Sequence, residues 1–199
     1  MAGSGHQSVG GVVLAGGGGR RFGEPKAGVV LAGLTLVERA VRLLAVRCAD
    51  VVVVTRPGVR FPPPGARVVL DRPGPDAPLV AVATGLAALR SDVCLVLACD
   101  LPFAAPVIDR LLAAPGGAAV AVDGGGRPQP LCARYPRVET LARCEQLLAG
   151  GSFAMGALLD SVGPTPVAAD DHELLNVNTP ADLARAHGYE TGSTSTMAL

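Results

Sequence analysis

The sequence predicts an α/β protein, a three-layer α/β/α sandwich in which helices cover both faces of a mostly parallel sheet. Two runs, residues 51–54 and 93–98, contain only Val, Leu, Ala and Cys, and are too apolar for strands with one face in water. Helical patterns alternate with such runs, as they do in βαβ units. With 199 residues and 49% hydrophobic content, the chain can bury one substantial core.

The elements follow from local signals along the chain. The first helix begins at a capping box formed by Thr35 and Glu38, and the last has Thr179 as its N-cap and Pro180 as its first residue. The predicted strands are residues 12–14, 51–54, 68–70, 93–98, 118–122 and 129–133. The other predicted helices are residues 78–89, 106–113, 137–149 and 152–159. The last two strands form a hairpin, which makes the sheet mixed.

Composition bounds the domain organisation and the partners. We expect one domain at residues 11–187, with disorder at 1–10 and 188–199, where little can be buried. The 17 basic and 17 acidic residues cancel, so no overall field recruits nucleic acid or an anionic membrane. The five cysteines lack metal-site spacing, and no apolar run reaches the ~18 residues of a membrane span. We therefore expect a soluble, cytoplasmic protein with reduced thiols.

The stretch GVVLAGGGGRRFGEPK, residues 11–26, carries the strongest functional signal. Consecutive glycines after a strand let several backbone N–H groups converge on an anion, and Arg20, Arg21 and Lys26 add positive charge. Lys26 is the only lysine in the sequence. The stretch fits neither the dinucleotide fingerprint nor a P-loop, because in both comparisons it lacks a residue that the motif requires at a fixed place. It nevertheless predicts a phosphate-binding loop.

Two carboxylates follow predicted strands. Asp71 follows residues 68–70, and Asp100 follows the central run 93–98. In open α/β sheets the carboxyl edge of the strands is where ligands bind. A carboxylate there suits Mg²⁺, which keeps waters and binds substrate phosphates. We therefore predict Asp100 as the metal ligand.

The glycine-rich stretch resembles the signature of the nucleotidyltransferases. Its fixed places are filled by Leu14, Ala15, Gly16, Gly17, Arg21, Gly23 and Lys26. Two further segments, residues 99–102 (CDLP) and 176–180 (NVNTP), also match. On these grounds the chain resembles the molybdenum cofactor guanylyltransferases of the MobA-like NTP transferase family over roughly residues 11–187. The resemblance implies a Rossmann-like sheet of the nucleotide-diphospho-sugar transferase type.

The resemblance also implies roles for particular residues. Arg21 and Lys26 would act on the triphosphate, and Asp100 would bind Mg²⁺. The remaining nucleotide contacts would come from Leu14, Ala15, Gly16, Gly17, Thr55 and Asp71. Thr55 stands where the family usually has asparagine. Asn176 and Asn178 could bind substrate or metal-bound water, or could simply cap a helix.

The implied reaction is transfer of GMP from GTP to a phosphorylated acceptor of the molybdopterin type, with contact to molybdoenzymes or cofactor-delivery proteins. Gly16 favours guanine, because relatives that use cytosine carry alanine there. Alternatives are cytidylyl or guanylyl transfer to another phosphorylated acceptor, and an inactive nucleotide-binding module. The family's Gly-Pro-Leu-x-Gly segment reads APLVA at residues 77–81, with both glycines replaced.

Overall fold

The structure is a computed structural model that describes residues 8–16, 26–56 and 65–194. Its main sheet has the strand order β5-β4-β1-β6-β8-β7-β9. These strands are β1 (Val9–Leu14), β4 (Asp50–Thr55), β5 (Arg67–Leu70), β6 (Val93–Ala98), β7 (Ala119–Val122), β8 (Pro128–Pro136) and β9 (Thr165–Ala168). Strand β8 runs antiparallel to β6 and β7, and the other pairs are parallel. The predicted mixed, mostly parallel sheet is confirmed.

Helices cover both faces of this sheet. They are α1 (Leu36–Ala45), α2 (Pro78–Ala88), α3 (Ala105–Ala113), α4 (Arg137–Ala149), α5 (Met155–Val162) and α6 (Pro180–Thr194). On one face α1 and α3 pack on a cluster that includes Val13 and Val53. On the other face α2, α4 and α5 pack on Val12 and Val52. Neighbouring strand residues point to opposite faces, so the inner strands contribute to both clusters and the predicted three layers are confirmed.

A small antiparallel hairpin of β2 (Val30–Leu31) and β3 (Leu34–Thr35) lies outside the main sheet. A third apolar cluster joins it to the segment before α6 and to α6 itself, through Leu31, Val177 and Ala186. This cluster holds the C-terminal part of the chain beside the turn at Lys26–Gly28. Two distant parts of the sequence therefore meet at one end of the sheet.

Most predicted elements are present, and two differences have a physical reason. Helix α5 begins at Met155 and not at residue 152, because α4 ends in a turn in which Ser152 donates its N–H to the Leu147 carbonyl and Gly151 has φ +76°. Strand β9 was missed because it contains Pro166, which an edge strand tolerates.

Secondary structure extends into both end segments, residues 1–10 and 188–199, for which the sequence predicts disorder. Strand β1 already begins at Val9, where the Val9 carbonyl accepts the N–H of Ala49. Helix α6 runs to Thr194, past the predicted boundary at 188. Tyr189 on α6 lies 4.4 Å from the ring of His172, and Arg39 pairs with Glu190 at 2.7 Å. These contacts extend the helix. Of the helices in the described ranges, none is long and apolar enough to cross a bilayer.

Candidate functional site

The parallel strands β5, β4, β1 and β6 end along one edge of the sheet. Leu14 pairs with Val54 on one side and with Ala98 on the other, so the residues that follow these strands meet. A pocket at this edge is lined by Leu14, Gly16, Lys26, Arg56, Asp71, Asp76, Ala77, Pro78, Ala81, Ala98, Cys99, Asp100 and Leu131. Five residues predicted from the sequence, Leu14, Gly16, Lys26, Asp71 and Asp100, therefore line one pocket.

Lys26 and Asp100 form an ion pair inside this pocket. The Lys26 Nζ lies 3.0 Å from the Asp100 Oδ2, and the two side chains are only 20% and 16% exposed. Lys26 also donates to the Asn178 Oδ1, and the Asp100 carbonyl accepts the Val177 N–H at 2.9 Å. The segment before α6 is thereby held against the end of β6.

The side chain of Asn178 is not used for helix capping. Thr179 and Asp182 cap α6 reciprocally, since the Thr179 Oγ1 accepts the Asp182 N–H at 3.2 Å and donates to the Asp182 Oδ2 at 2.8 Å. Asn178 gives that cap only its backbone N–H. These hydrogen bonds lower the pKa of the Asp182 carboxyl, that from the Thr179 side chain most. The side-chain amide of Asn178 instead contacts Lys26, which lines the pocket.

The second oxygen of Asp100 fits a divalent cation. Its Oδ1 is buried and has no hydrogen-bond partner in the described part of the chain, and an unpartnered buried carboxylate oxygen is costly. The described ranges hold no group of three or more His, Cys, Asp or Glu residues suited to a metal. A Mg²⁺ ion commonly takes one or two protein carboxylates and completes its shell with waters and substrate phosphates, and the residues present fit such an ion.

Cys99 lies beside this carboxylate without taking part in chemistry. Burial raises the pKa of its thiol to about 12, and the Asp100 charge adds to the shift. A protonated, buried thiol is a poor nucleophile. The role of Cys99 is packing.

Asp71 is fixed on both its backbone and its side chain. Its N–H donates to the Thr55 carbonyl at 2.8 Å, and its Oδ1 accepts from the Thr84 hydroxyl at 2.9 Å. Thr55, which is predicted to contact the nucleotide, is 2% exposed and does not line the pocket. Thr55 contributes its carbonyl instead.

The remaining predicted residues have different placements. Ala15 is buried, gives its N–H to the Val54 carbonyl and does not line the pocket. Gly17 and Arg21 lie outside the described residues. Ala77 has φ −136° and ψ 137°, an extended conformation that alanine adopts without strain. The replacement of the family glycine at this position therefore costs no backbone energy.

Sequence reasoning missed three contributors to the site. Arg56 directly follows β4 and pairs with Asp76 at the pocket, and its place after a strand could have signalled it. Thr84 carries a hydroxyl in an otherwise apolar part of α2, and a lone polar side chain among apolar residues could also have indicated a role at the site. Leu131 reaches the pocket from the antiparallel strand β8, and only the sheet order reveals it.

A second groove adjoins the first pocket at Asn178. Its lining includes the polar residues Arg127, Gln129, Asn176 and Arg185 and the acidic residues Asp123, Asp171 and Asp182. Amide groups and guanidinium groups can recognise a polar, phosphorylated molecule. The groove is lined by Asn178, and Asn178 contacts Lys26 of the first pocket. Molecules bound in the groove and in the pocket would therefore lie next to one another.

A family model and related sequences match most of this chain. Residues 11–162 match the MobA-like NTP transferase domain. A probable molybdenum cofactor guanylyltransferase of Mycobacterium avium (strain 104) is 36% identical over 184 residues, which cover 87% of this chain and 92% of the relative.

Two solved structures share the fold. Molybdopterin-guanine dinucleotide biosynthesis protein A from Archaeoglobus fulgidus has a TM-score of 0.70 at 23% identity, covering 92% of this chain and 99% of its own. A 2-C-methyl-D-erythritol 4-phosphate cytidylyltransferase from Thermus thermophilus has a TM-score of 0.71 at 22% identity, covering 90% and 98%. The domain match spans more than half of the sequence, and on that basis the chain belongs to the MobA-like NTP transferase family.

Proposed function

We propose that this protein is a Mg²⁺-dependent nucleotidyltransferase that moves GMP from GTP to molybdopterin cofactor and releases pyrophosphate. The observation that carries the proposal is the convergence of Lys26, Asp100 and Asn178 at the carboxyl edge of the sheet. The Lys26 ammonium, the Asp100 carboxylate with one free buried oxygen and the Asn178 amide meet there. The chain that carries them belongs to a nucleotidyltransferase family.

In this reaction a phosphate oxygen of the acceptor attacks the α-phosphorus of GTP. A new phosphorus–oxygen bond forms, the bond from the α-phosphorus to the bridging oxygen breaks, and pyrophosphate leaves with the electron pair. A phosphate monoester has a second pKa of about 6, so the acceptor is ionised at neutral pH and needs no general base. The pocket lining contains no histidine among the described residues, which suits a reaction of this kind.

The protein's own task is to position the phosphates and to offset developing charge. Lys26 is the group we assign to the triphosphate, with Arg21 as its partner from the glycine-rich loop. Asp100 would hold Mg²⁺ through its free Oδ1, and the bound ion supplies neutralisation of charge on the phosphate oxygens. Asn178 holds Lys26 in place and forms the border between the two concavities.

The nucleoside is proposed to lie between the first loop and α2. Leu14, Gly16, Ala77 and Ala81 all line the pocket, and Ala15 and Gly17 complete the loop that we assign to the nucleotide. Asp71 can accept hydrogen bonds from the nucleoside. The acceptor is proposed to occupy the groove beside Asn178, where Arg185 and Arg127, the latter paired with Asp123, are the basic residues that can contact its phosphate.

We place the protein in the cytoplasm, since all five cysteines are free thiols and reduced thiols are typical of that compartment. Contact with molybdoenzymes or cofactor-delivery proteins, which would receive the product, is part of the same proposal.

A pyrophosphate-release assay tests the reaction. The purified protein is supplied with Mg²⁺, molybdopterin cofactor and GTP, CTP or ATP in turn. We expect release with GTP that depends on the acceptor, and loss of release in Asp100→Asn, which keeps the side chain's size but removes its charge. Nucleotide binding without release would identify an inactive module, and release with CTP alone would identify a cytidylyltransferase.

A further inference from the structure

Thr84 is a polar residue in an apolar environment. It lies on α2, is 7% exposed, and its helical neighbours Val82, Ala83 and Leu86 belong to the core. A buried hydroxyl must find hydrogen-bond partners to offset its desolvation. The partners that Thr84 has found connect the core to the pocket.

Two acceptors lie within reach of the Thr84 hydroxyl. Its Oγ1 is 2.9 Å from the Asp71 Oδ1 and 2.9 Å from the Val80 carbonyl. The carbonyl four residues back is the usual local partner of a helical threonine, but a bond to an ionised carboxylate is roughly twice as strong. The Thr84 Oγ1 also accepts the Arg72 N–H at 3.4 Å. Thr84 therefore fastens the segment after β5 to helix α2.

This arrangement leaves one oxygen of Asp71 for a ligand. The backbone of Asp71 is fixed by its bond to Thr55 and its Oδ1 by Thr84. Among the described residues the Oδ2 of Asp71 accepts no hydrogen bond, and Asp71 lines the pocket. A carboxylate held by one oxygen presents the other in a fixed direction, which lowers the entropy lost when a donor binds.

We propose that Thr84 is a positioning residue for nucleoside recognition, acting through Asp71. The Asp71 Oδ2 accepts a hydrogen bond from an N–H or O–H donor of the nucleoside, either the guanine ring or the ribose, and Thr84 fixes the direction of that acceptor. This inference rests on the proposed function, because it takes the molecule in the pocket to be a nucleoside triphosphate.

The test uses Thr84→Val, which keeps the shape but removes the hydroxyl, and Thr84→Ser, which keeps the hydroxyl. We expect Thr84→Val to raise the Kd and the KM for Mg²⁺·GTP about 10-fold, the effect of one lost charge-assisted hydrogen bond. Since the nucleoside is remote from the reacting phosphorus, kcat should stay within about 3-fold. Thr84→Ser should behave like the wild type.

Thr140→Val is the matched control. Thr140 is a fully buried helical threonine on α4 whose hydroxyl has no partner in the described part of the chain, and it does not line the pocket. Its replacement should leave the nucleotide Kd unchanged. Thermal melting of each variant checks folding, and Thr84→Ala replaces Thr84→Val if the latter does not fold.

A double-mutant cycle with Asp71→Asn distinguishes action through Asp71 from simple packing. If Thr84 acts through Asp71, Asp71→Asn with Thr84→Val binds GTP no more weakly than Asp71→Asn alone. ITP lacks the guanine amino group and 2′-deoxy-GTP lacks a ribose hydroxyl. The analogue whose binding Thr84→Val no longer weakens identifies the donor.

Two results would overturn the inference: wild-type GTP affinity in Thr84→Val, or a full additional loss on top of Asp71→Asn. Failure of the proposed function would look different. The wild-type protein would then release no pyrophosphate with any triphosphate, while calorimetry with Mg²⁺·GTP still measures the Thr84 effect on binding.

Discussion

At the residue scale, the two oxygens of Asp100 have separate environments. The Oδ2 is paired with Lys26 at 3.0 Å, whereas the Oδ1 is buried without a partner in the described ranges. A single carboxylate can therefore meet the ammonium on one side and a divalent cation on the other. Lysine suits this position because its ammonium is a compact charge, while an arginine guanidinium is broad and planar.

Lys26→Ala is expected to separate catalysis from metal binding. Loss of a charge that stabilises the transition state should lower kcat by about 10² or more. The carboxylate of Asp100 remains, so Mg²⁺ should bind at least as well, since a nearby positive charge has been removed. Turnover assays and a Mg²⁺ titration measure the two effects. Near wild-type turnover would show that another group acts on the triphosphate.

Gly16 makes a second prediction at this scale. A Cβ built at Gly16 would be 3.8 Å from the nearest atom, the Cγ of Arg56, which is ordinary van der Waals contact. The described part of the chain therefore has room for alanine at this position, and we expect a need for glycine to come from the ligand. We expect Gly16→Ala to fold normally but to weaken GTP binding about 10-fold, with CTP affected less because its base is smaller.

Gly156→Ala on α5 serves as the control for Gly16→Ala, because a Cβ there meets open space away from the pocket. Calorimetric titration of both variants with Mg²⁺ and each triphosphate gives the comparison. Equal losses for GTP and CTP in Gly16→Ala would contradict the guanine assignment while leaving nucleotide binding at Gly16 in place.

At the element scale, the parts with strong local signals were predictable from sequence. The capping box of Thr35 and Glu38 forms as expected, and residues 93–98 and 137–149 match β6 and α4 to the residue. The misses have weak local signals. Strands β2 and β3 are only two residues long. Strand β9 forms by parallel pairing with β7, a contact that no local pattern in its own sequence indicates.

The capping box also gives a prediction for stability. The Glu38 N–H donates to the Thr35 Oγ1, and the Glu38 carboxylate accepts the Thr35 N–H at 2.8 Å. Thr35→Ala should lower the free energy of unfolding by about 1 kcal/mol, because both bonds depend on the local cap geometry. Denaturant unfolding at neutral pH measures this difference.

The loss of unfolding free energy in Thr35→Ala should also depend on pH. Hydrogen bonds from the Thr35 side chain and backbone lower the pKa of Glu38 below its ordinary value of 4.5. The stability that this provides is complete above 4.5 and is lost as pH falls through the lowered pKa. The difference in stability between wild type and Thr35→Ala should therefore become smaller at acid pH, leaving the part due to the Glu38 N–H bond to Thr35, and a difference that does not change with pH would show that the carboxylate contributes nothing to it.

At the scale of the whole molecule, the site depends on contacts that no local pattern specifies. Lys26 and Asn178 are 152 positions apart, and Lys26 and Asp100 are 74 apart. Sequence motifs marked Lys26 and Asp100 as chemically important, but they left Asn178 open between substrate binding and capping. The apolar cluster of Leu31, Val177 and Ala186 holds the segment before α6, and the Val177 N–H donates to the Asp100 carbonyl after β6. The Asn178 side chain contacts Lys26 there and does not cap the helix, while its binding of substrate stays a prediction.

Because the site joins remote segments, ligands that complete it should stabilise the entire fold. A ligand that binds only the native state at 100 times its Kd adds about 2.7 kcal/mol to the free energy of unfolding. For a chain of this size that corresponds to a rise in Tm of about 5–10 °C. Asp100 and Lys26 are adjacent, so Mg²⁺ and GTP should bind cooperatively, and either one alone should give a smaller shift.

Thermal melting with Mg²⁺, GTP or both tests this, with Asp100→Asn as the control. In that variant GTP should stabilise equally with and without Mg²⁺, because the ion has lost its protein ligand. CTP and ATP should give smaller shifts than GTP, since a pocket that pairs guanine's donors leaves partners unmatched with the other bases, at roughly 1–3 kcal/mol per buried group. Additive shifts for Mg²⁺ and GTP in the wild type would place the metal away from the nucleotide, and an Asp100→Asn protein with an unchanged Mg²⁺ response would place it on another residue.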